Sequence, residues 1–180
     1  VLVLGGGGFI GRHAVAALLA QGEAVTIGSR HPSRLDRRLP AAARGCPRCQ
    51  ARFEDLLAPE AWASILQDAD VVVNCVGILR PRGRETYQRV HHLAPAALAE
   101  ACRRGGQRLV HVSALGLQAP MRSGFLRSKA DGEAALRASG AISDDGIIDP
   151  RDTRDVLGMC LSVAATREVA GTEGYGVFRL

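Results

Sequence analysis

Aromatic side chains make up only 4% of this sequence, and their scarcity argues against one class of partner. Proteins that bind single-stranded nucleic acid usually stack the bases on aromatic side chains set among cations. The net charge of +5 and the pI of about 9.3 would suit a nucleic acid or an acidic membrane surface. Because the aromatic platform is missing, nucleic acid is only a minor alternative as the partner.

The chain also lacks a long apolar run and a paired set of cysteines. No apolar stretch approaches the roughly 20 residues of a membrane-spanning helix, so the sequence predicts a soluble protein with no membrane span. The five cysteines are odd in number and scattered, which favours a reducing cytoplasm over secretion. Cys46 and Cys49 have the spacing of a zinc knuckle, but structural zinc needs four ligands and no second pair follows. We therefore expect no metal site.

Glycine, in contrast, is concentrated near the start, where four in a row follow an apolar stretch. They satisfy two overlapping patterns, one through Gly6, Gly8 and Gly11 and one through Gly5, Gly8 and Gly11. Residues 9–20 then carry apolar side chains at helical spacing. A buried strand that turns through glycines into a helix is typical of dinucleotide binding. An ordinary glycine-rich turn is the alternative, and this context disfavours it.

Each glycine of the turn has a separate expected role. Gly5 or Gly6 lets the chain leave the strand with a positive φ, and Gly8 lets the backbone approach a pyrophosphate without an intervening Cβ. Gly11 lets the helix cross close to the strand. The helix then aims its free N–H groups and the positive end of its dipole at the phosphates.

The end of the second predicted strand, residues 24–27, selects the cofactor. An NAD site usually places Asp or Glu here to accept from the ribose 2′-hydroxyl, whereas a 2′-phosphate needs cations. The sequence has Ser29 and Arg30, then Arg34, and no carboxylate before Asp36. This pattern favours NADP(H) over NAD(H). The alternative is a solvated run of arginines in an arginine-rich chain.

The rest of the chain continues the alternation of strands and helices. Predicted strands are residues 50–53, 69–77 and 109–113, predicted helices are 59–67, 86–104 and 123–138, and 35–48 is a helix or a loop. The apolar run at 69–77 is typical of a parallel strand buried on both faces. The predicted fold class is α/β, a Rossmann-type doubly wound parallel sheet flanked by helices. Its expected strand order is 3-2-1-4-5, with a sixth strand as an option.

Polar side chains stand at the ends of two of these strands. Asn74 leads into small residues at the carboxyl edge, where open α/β sheets bind ligands. Ser113 ends the fifth strand and is the expected site residue, whereas His111, deeper on the same face, fits better as a core histidine. In the helix that follows, Phe125 and Lys129 share one face because four residues separate them.

In this order the motifs resemble those of the short-chain dehydrogenase/reductase superfamily. The matching segments begin at Gly5, Phe53, Asn74, Val112 and Phe125. The similarity extends from residue 1 to about residue 140. The glycine turn and the segments at 76–80 and 111–116 most resemble the atypical group that contains the NADPH-binding accessory subunit of respiratory complex I. NmrA-like proteins are close to that group.

The resemblance implies roles for the matched residues. It assigns the turn to the pyrophosphate, Asp55 to the adenine, the residues after the fourth strand to the ribose and Lys129 to the nicotinamide ribose. Ser113 and Lys129 take the catalytic positions. The expected cofactor contacts are Gly5, Gly8, Phe9, Ile10, Gly11, Ser29, Arg30, Arg34, Asp55, Asn74, Val76, Gly77 and Lys129. Lys129 is also the only lysine among 23 lysines and arginines, which suggests that a compact ammonium is needed there.

Phe125 departs from the family pattern. Active members carry tyrosine four residues before the lysine, and its phenol exchanges a proton with the carbonyl oxygen. Phenylalanine has no hydroxyl, and neither Tyr87 nor Tyr175 lies at the motif spacing. The leading prediction is therefore an atypical NADP(H)-binding protein with a structural, sensing or weak redox role.

Two alternatives remain beside that prediction. The first is an active oxidoreductase or epimerase-like enzyme with another proton donor, acting on a small carbonyl compound or a quinone. The second is a non-enzymatic assembly or regulatory partner, for which the loop at residues 80–84 is a candidate contact with another protein.

The sequence after Gly140 departs from the family pattern as well. We assign residues 1–140 to the NAD(P)-binding Rossmann domain and 141–180 to a C-terminal segment of a strand and a helix. The helix that ends near Gly140 should lead into a buried strand, yet residues 143–146 are a polar turn. We therefore expect a missing stretch between Gly140 and Ala141. Because Val1 already lies in a strand, we also expect residues before it.

Overall fold

Strands and helices alternate along the chain in the computed structural model, which describes residues 1–37, 39–114, 117 and 123–140. The strands are β1 (Leu2–Leu4), β2 (Thr26–Ser29), β3 (Arg48–Gln50), β4 (Val71–Asn74) and β5 (Arg108–His111). The α-helices are α1 (Gly11–Ala20), α2 (Ala63–Leu66), α3 (Ala94–Gly105) and α4 (Gly124–Ala138). Short 3₁₀ turns lie at Pro32–Arg34, Ala41–Ala43 and Pro59–Trp62, and a π-helical turn, Gln88–Leu93, leads into α3.

The five strands form one parallel sheet in the order β3-β2-β1-β4-β5. This confirms the predicted fold class and strand order. Val3 of the central strand lies opposite Ile27 on one side and Val73 on the other. The order reverses between β1 and β4, and open sheets of this kind bind ligands beyond the carboxyl ends of such strands. The optional sixth strand, the segment 141–180 and the expected break after Gly140 lie outside the described residues.

Hydrophobic cores cover both faces of the sheet. Leu2 and Leu4 of β1 belong to a core with Trp62, whose ring meets Phe53 edge to face at 5.1 Å between centroids. Val3, which points to the opposite face, belongs to a second core formed with α1. Alternate residues of the central strand are thus buried on opposite sides, which explains its unbroken apolar sequence.

Some element boundaries differ from the predictions, and packing explains the differences. β2 runs to Ser29 instead of ending at residue 27, because Gly28 pairs with β1 despite its poor strand propensity. A Cβ at Gly28 would lie 2.6 Å from Cδ2 of Leu4, so a larger residue here would displace the buried Leu4 side chain. β3 occupies Arg48–Gln50 instead of 50–53, since Phe53 packs into the core beyond the strand.

The predicted long helix at 86–104 also differs in detail. Its first part is the π-helical turn, which ends just before Pro95. Proline has no backbone N–H to donate to the carbonyl four residues earlier, so a regular α-helical ladder cannot run through this position.

The described helices are all too short or too polar to cross a membrane. Within the same residues, no group of three or more His, Cys, Asp and Glu side chains is arranged to hold a metal ion. Cys46 and Cys49 are free, partly buried thiols.

Candidate functional site

The glycine turn between β1 and α1 forms one wall of the site. Gly5 has a φ of +74°, so Gly5 rather than Gly6 is the residue that needs the left-handed conformation. Its N–H donates to the carbonyl of Gly28 at 2.9 Å, and its own carbonyl accepts from the N–H of Gly8 at 2.8 Å. One backbone bond therefore fixes the turn to the neighbouring strand β2, and another closes the turn on itself.

Helix α1 begins at Gly11 and contacts the same turn. A Cβ at Gly11 would lie 2.2 Å from the carbonyl oxygen of Gly5, so the close approach predicted for this glycine is present. Phe9 and Ile10, which precede the helix, are 79% and 39% exposed. The guanidinium of Arg12 lies 5.4 Å from the centroid of the Phe9 ring. An exposed aromatic ring therefore stands beside the turn where the helix begins.

A cleft runs from this turn along the carboxyl ends of the strands. Its walls come from the turn, from the ends of β2 and β4, from the segment after β3 and from the chain that follows β4. The lining residues are Gly5, Gly7, Gly8, Ser29, Arg30, Leu35, Ala51, Phe53, Glu54, Cys75, Val76, Gly77, Ile78, Glu85 and Val90. Six of the predicted contacts are thus brought together here, namely Gly5, Gly8, Ser29, Arg30, Val76 and Gly77.

Two of the predicted contact residues, Arg30 and Asp55, have ion-pair partners within the chain. Arg30 forms an ion pair with Glu85, and Asp55 pairs with Arg84 at 2.9 Å. Arg34 lies exposed in a 3₁₀ turn, outside the cleft lining. Arg84 belongs to the loop predicted as a contact for another protein, and here it contacts its own chain.

Asn74, at the end of β4, is fully buried and holds its surroundings in place. Its Oδ1 accepts from the N–H of Val76 at 3.0 Å, so its Nδ2 is the group that donates to Nδ1 of His111 at 3.0 Å. Burial, the charge of Lys129 and that of His91 lower the pKa of His111 from 6.5 to about 3. His111 is therefore a neutral histidine that is hydrogen-bonded to Asn74 and partly buried. Asn74 holds the cleft-lining segment 75–77 in place, although Asn74 itself does not line the cleft.

Lys129 lies behind that segment and is only 6% exposed. Its Nζ donates to the carbonyl of Val112 at 3.4 Å, and a Cβ built on Gly77 would lie 3.5 Å from it. Burial lowers the pKa of Lys129, while Cys75 acts in the opposite direction. Burial also raises the pKa of the Cys75 thiol to about 12. The ammonium therefore faces a neutral thiol and the wall of the cleft.

Ser113 bonds to Glu133, a different residue of the helix that carries Lys129. Its hydroxyl donates to Oε2 of Glu133 at 3.1 Å, and Oε1 of Glu133 accepts from Arg137 at 2.5 Å. Two separate hydrogen bonds, Ser113 to Glu133 and Lys129 to Val112, thus join α4 to the chain just after β5. Their joint use on a substrate stays a prediction.

Phe125 packs among aromatic rings. The ring of His91 meets it edge to face at 5.3 Å, and that of Tyr87 does so at 6.1 Å. Tyr87 lies outside the motif spacing, yet its phenol is in this cluster and donates to the carbonyl of Leu79 at 2.7 Å. The structure therefore places one phenol beside the position where the family has its tyrosine.

His91 has no assigned role in the sequence analysis, and it connects three parts of the site. Its Nε2 accepts from the N–H of Ile78 at 2.9 Å, so its proton is on Nδ1, which lies 2.9 Å from Oγ of Ser128. That hydroxyl donates to the carbonyl of Phe125 at 2.8 Å. Burial, followed by the charge of Lys129, lowers the pKa of His91 from 6.5 to about 4. The neutral imidazole joins the cleft wall to α4. No local sequence motif around His91 predicts this role.

Comparison with known proteins assigns the chain to a family. Residues 5–145 match a family model described as NAD(P)H-binding. The chain belongs to that NAD(P)H-binding family. It is also 30% identical over 167 residues to the ceramide reductase of Caulobacter vibrioides, a match that covers 88% of this chain and 49% of that protein. The chain thus spans about half the length of this relative.

A second curated relative matches over a short stretch. The probable biotin-dependent acyl-coenzyme A carboxylase beta2 subunit of Mycobacterium tuberculosis is 60% identical over 45 residues, which are 25% of this chain and 8% of that protein. A match over so small a part of a protein carries no conclusion about the site.

Solved structures show the same fold. The UDP-glucose 4-epimerase of Thermus thermophilus, in complex with NAD, has a TM-score of 0.61 and 24% identity over 77% of this chain and 50% of its own. A short-chain dehydrogenase/reductase of the wide type from Veillonella parvula, in complex with NADP, has a TM-score of 0.56 and 18% identity over 76% and 62%. The chain shares its Rossmann-type fold with these two structures. The narrower resemblance to the complex I accessory subunit and to NmrA-like proteins stays a prediction.

Proposed function

We propose that the cleft binds NADP(H), with the pyrophosphate at the glycine turn and the 2′-phosphate at the end of β2. The observation that carries this proposal is the cleft wall itself, in which a glycine-lined turn is continuous with Ser29 and Arg30. A Cβ at Gly8 would crowd the carbonyl oxygen of Gly5 at 3.0 Å, so the turn favours glycine at this position, where Gly8 lines the cleft without a side chain. The Arg30 guanidinium can form charge-assisted hydrogen bonds with a phosphate, which the Asp or Glu usual at this position could not.

Lys129 and the segment 75–77 would hold the nicotinamide end. Burial and the bond to the carbonyl of Val112 hold Lys129 behind Gly77. From there its ammonium would bind a ribose hydroxyl of the cofactor. The bound cofactor would supply a hydride. Phe125 supplies no proton, so the chain's own groups at this position favour binding over fast turnover. We therefore infer a structural, sensing or weak redox role for the bound nucleotide.

Carbonyl reduction is the second candidate. It is favoured by the 30% identity to a protein that is a ceramide reductase and by the phenol of Tyr87 beside Phe125. In this reading Tyr87 replaces the missing tyrosine as proton donor, after releasing the carbonyl of Leu79. A ceramide-type substrate would be the first to test, with a small carbonyl compound and a quinone beside it.

Calorimetric titration with NADPH and NADH tests the proposal. A charge-assisted hydrogen bond contributes about 1.5–3 kcal/mol before desolvation, so NADPH should bind at least about tenfold more tightly than NADH. Arg30→Ala should remove most of that difference, and Lys129→Ala should weaken the binding of both nucleotides. Arg127→Ala is the matched control for Lys129→Ala, because it removes an exposed cation from α4, the helix that carries Lys129. Equal affinities would contradict the NADP(H) preference, and the absence of binding would contradict the cofactor site.

A further inference from the structure

The chain after β4 forms a strap, residues 78–87, whose shape is fixed by its own hydrogen bonds. The backbone groups of Arg82 and Glu85 bond in both directions, at 3.0 and 2.9 Å. Tyr87 closes the base of the strap by donating to the carbonyl of Leu79 at 2.7 Å. The strap therefore presents the side chains near its tip in a defined direction.

The strap reaches across to the strands on the other side of β1. Glu85 pairs with Arg30, just after β2, and Arg84 pairs with Asp55, beyond β3, at 2.9 Å. Just beyond the strap, Arg89 of the π-helical turn donates to the carbonyl of Glu54 at 2.8 Å. Three separate contacts thus connect the chain after β4 with the opposite side of the cleft.

Glu85 is the acid that the end of β2 lacks. It lines the cleft together with Ser29 and Arg30, and its side chain is only 20% exposed, against 49% for Arg30. In dinucleotide sites the end of this strand carries a carboxylate for a ribose 2′-hydroxyl or a cation for a 2′-phosphate. Here both groups are present, one from the strand end and the other from the strap, and they neutralise each other.

We infer that Glu85 determines how strongly the site prefers one dinucleotide over the other. This inference rests on the proposed dinucleotide site. A 2′-phosphate must separate Glu85 from Arg30 and then meets a carboxylate of the same sign, so Glu85 weakens NADPH binding in both ways. A ribose 2′-hydroxyl has no such conflict and can donate to Glu85. The two nucleotides therefore respond to Glu85 in opposite directions.

The test is the ratio of the two affinities in Glu85→Gln, which keeps the shape of the side chain and removes its charge. Because like charges placed together at an interface are strongly unfavourable, the ratio of NADH Kd to NADPH Kd should rise by at least about tenfold. The same shift should appear with 2′,5′-ADP against 5′-AMP, which lack the nicotinamide half. Glu60→Gln is the matched control, because it removes the same charge from an exposed pair with Arg104, away from the cleft lining.

A double-mutant cycle with Arg30→Ala separates the two effects of Glu85. If Glu85 acts by holding Arg30, the gain in NADPH affinity should be clearly smaller in the Arg30→Ala background. A ratio that does not change in Glu85→Gln, or that changes equally in Glu60→Gln, overturns the inference while leaving the dinucleotide site intact. If the wild-type protein binds neither nucleotide, the proposed function itself fails, and the inference fails with it.

Discussion

Gly132, in the middle of α4, controls how closely that helix approaches the turn before α3. A Cβ at this position would lie 1.9 Å from the carbonyl oxygen of His91 and 3.0 Å from its carbonyl carbon. These are backbone atoms, so they cannot move aside as a side chain can. Because Phe125, Ser128 and Lys129 all lie on α4, the closeness of this contact sets their position in the site.

The size of the Gly132→Ala effect follows from two opposing terms. Alanine is a better helix residue than glycine by about 1 kcal/mol, so the exchange would stabilise an unobstructed helix. Here the helix must move by more than about 1 Å to bring a Cβ to an ordinary C···O distance of about 3.3 Å. Overpacking of this kind usually costs about 1–3 kcal/mol and sometimes more, and the bond between His91 and Ser128 weakens as well. We expect a net loss of about 2 kcal/mol or more in the free energy of unfolding.

Chemical denaturation followed by circular dichroism, together with NADPH titration, measures both consequences. Gly132→Ala should lower the denaturation midpoint and weaken nucleotide binding, because Lys129 moves with the helix. Gly124→Ala is the control in the same helix, since its Cβ would lie 3.8 Å from the ring of Tyr87, an ordinary contact. It should change stability by no more than about 0.5 kcal/mol. If Gly132→Ala is as stable as the wild type or more stable, the gain in helix propensity exceeds the cost of overpacking, and the close contact does not hold α4 in place.

Two further predictions concern the histidine and aromatic cluster. In the folded protein the pKa of His91 is lowered from 6.5 to about 4, so its contribution to stability is complete above pH 6.5 and is lost as the pH falls toward 4. His91→Gln should therefore flatten the pH dependence of the free energy of unfolding in this window, as measured by chemical denaturation at several pH values. Phe125→Tyr should raise NADPH-dependent carbonyl reduction, because general acid catalysis is worth about 10²- to 10⁴-fold. A wild-type rate near 10 s⁻¹ that Phe125→Tyr does not improve would show that another residue supplies the proton.

The glycine turn and the strand order could be predicted because their signals are local. A buried strand, a turn at Gly5 and an amphipathic helix follow one another within a few residues, and the alternation of apolar segments leaves little choice of sheet. The end of β2 was harder to predict, because Gly28 has low strand propensity and is held in the sheet by its parallel pairing with Leu4. Tertiary pairing overrides propensity at this position.

The contacts that shape the site could not be predicted, because they join residues far apart in the sequence. Nothing near Arg30 indicates that Glu85 will neutralise it, and nothing near Phe125 indicates that Tyr87 will be its neighbour. His91 precedes Pro95 by one helical turn, but its partners Ile78 and Ser128 belong to other elements. Such partners follow from how the π-helical turn and α4 pack together, which local patterns do not encode.

The solitary lysine has a physical reason that sequence alone could only suggest. In the described part of the chain, the cluster around Lys129 offers its Nζ one hydrogen-bonded carbonyl, that of Val112, and two imidazoles that stay neutral. A proton on Nε2 of His91 would break its bond from Ile78, and the charge of Lys129 itself helps to lower the pKa of both His91 and His111. An arginine would bring five donors in a rigid planar fork and leave several of them buried without partners. A compact ammonium can instead bond to one carbonyl and direct its remaining donors past Gly77, toward the cleft, which is the direction that the proposed role in ribose binding requires.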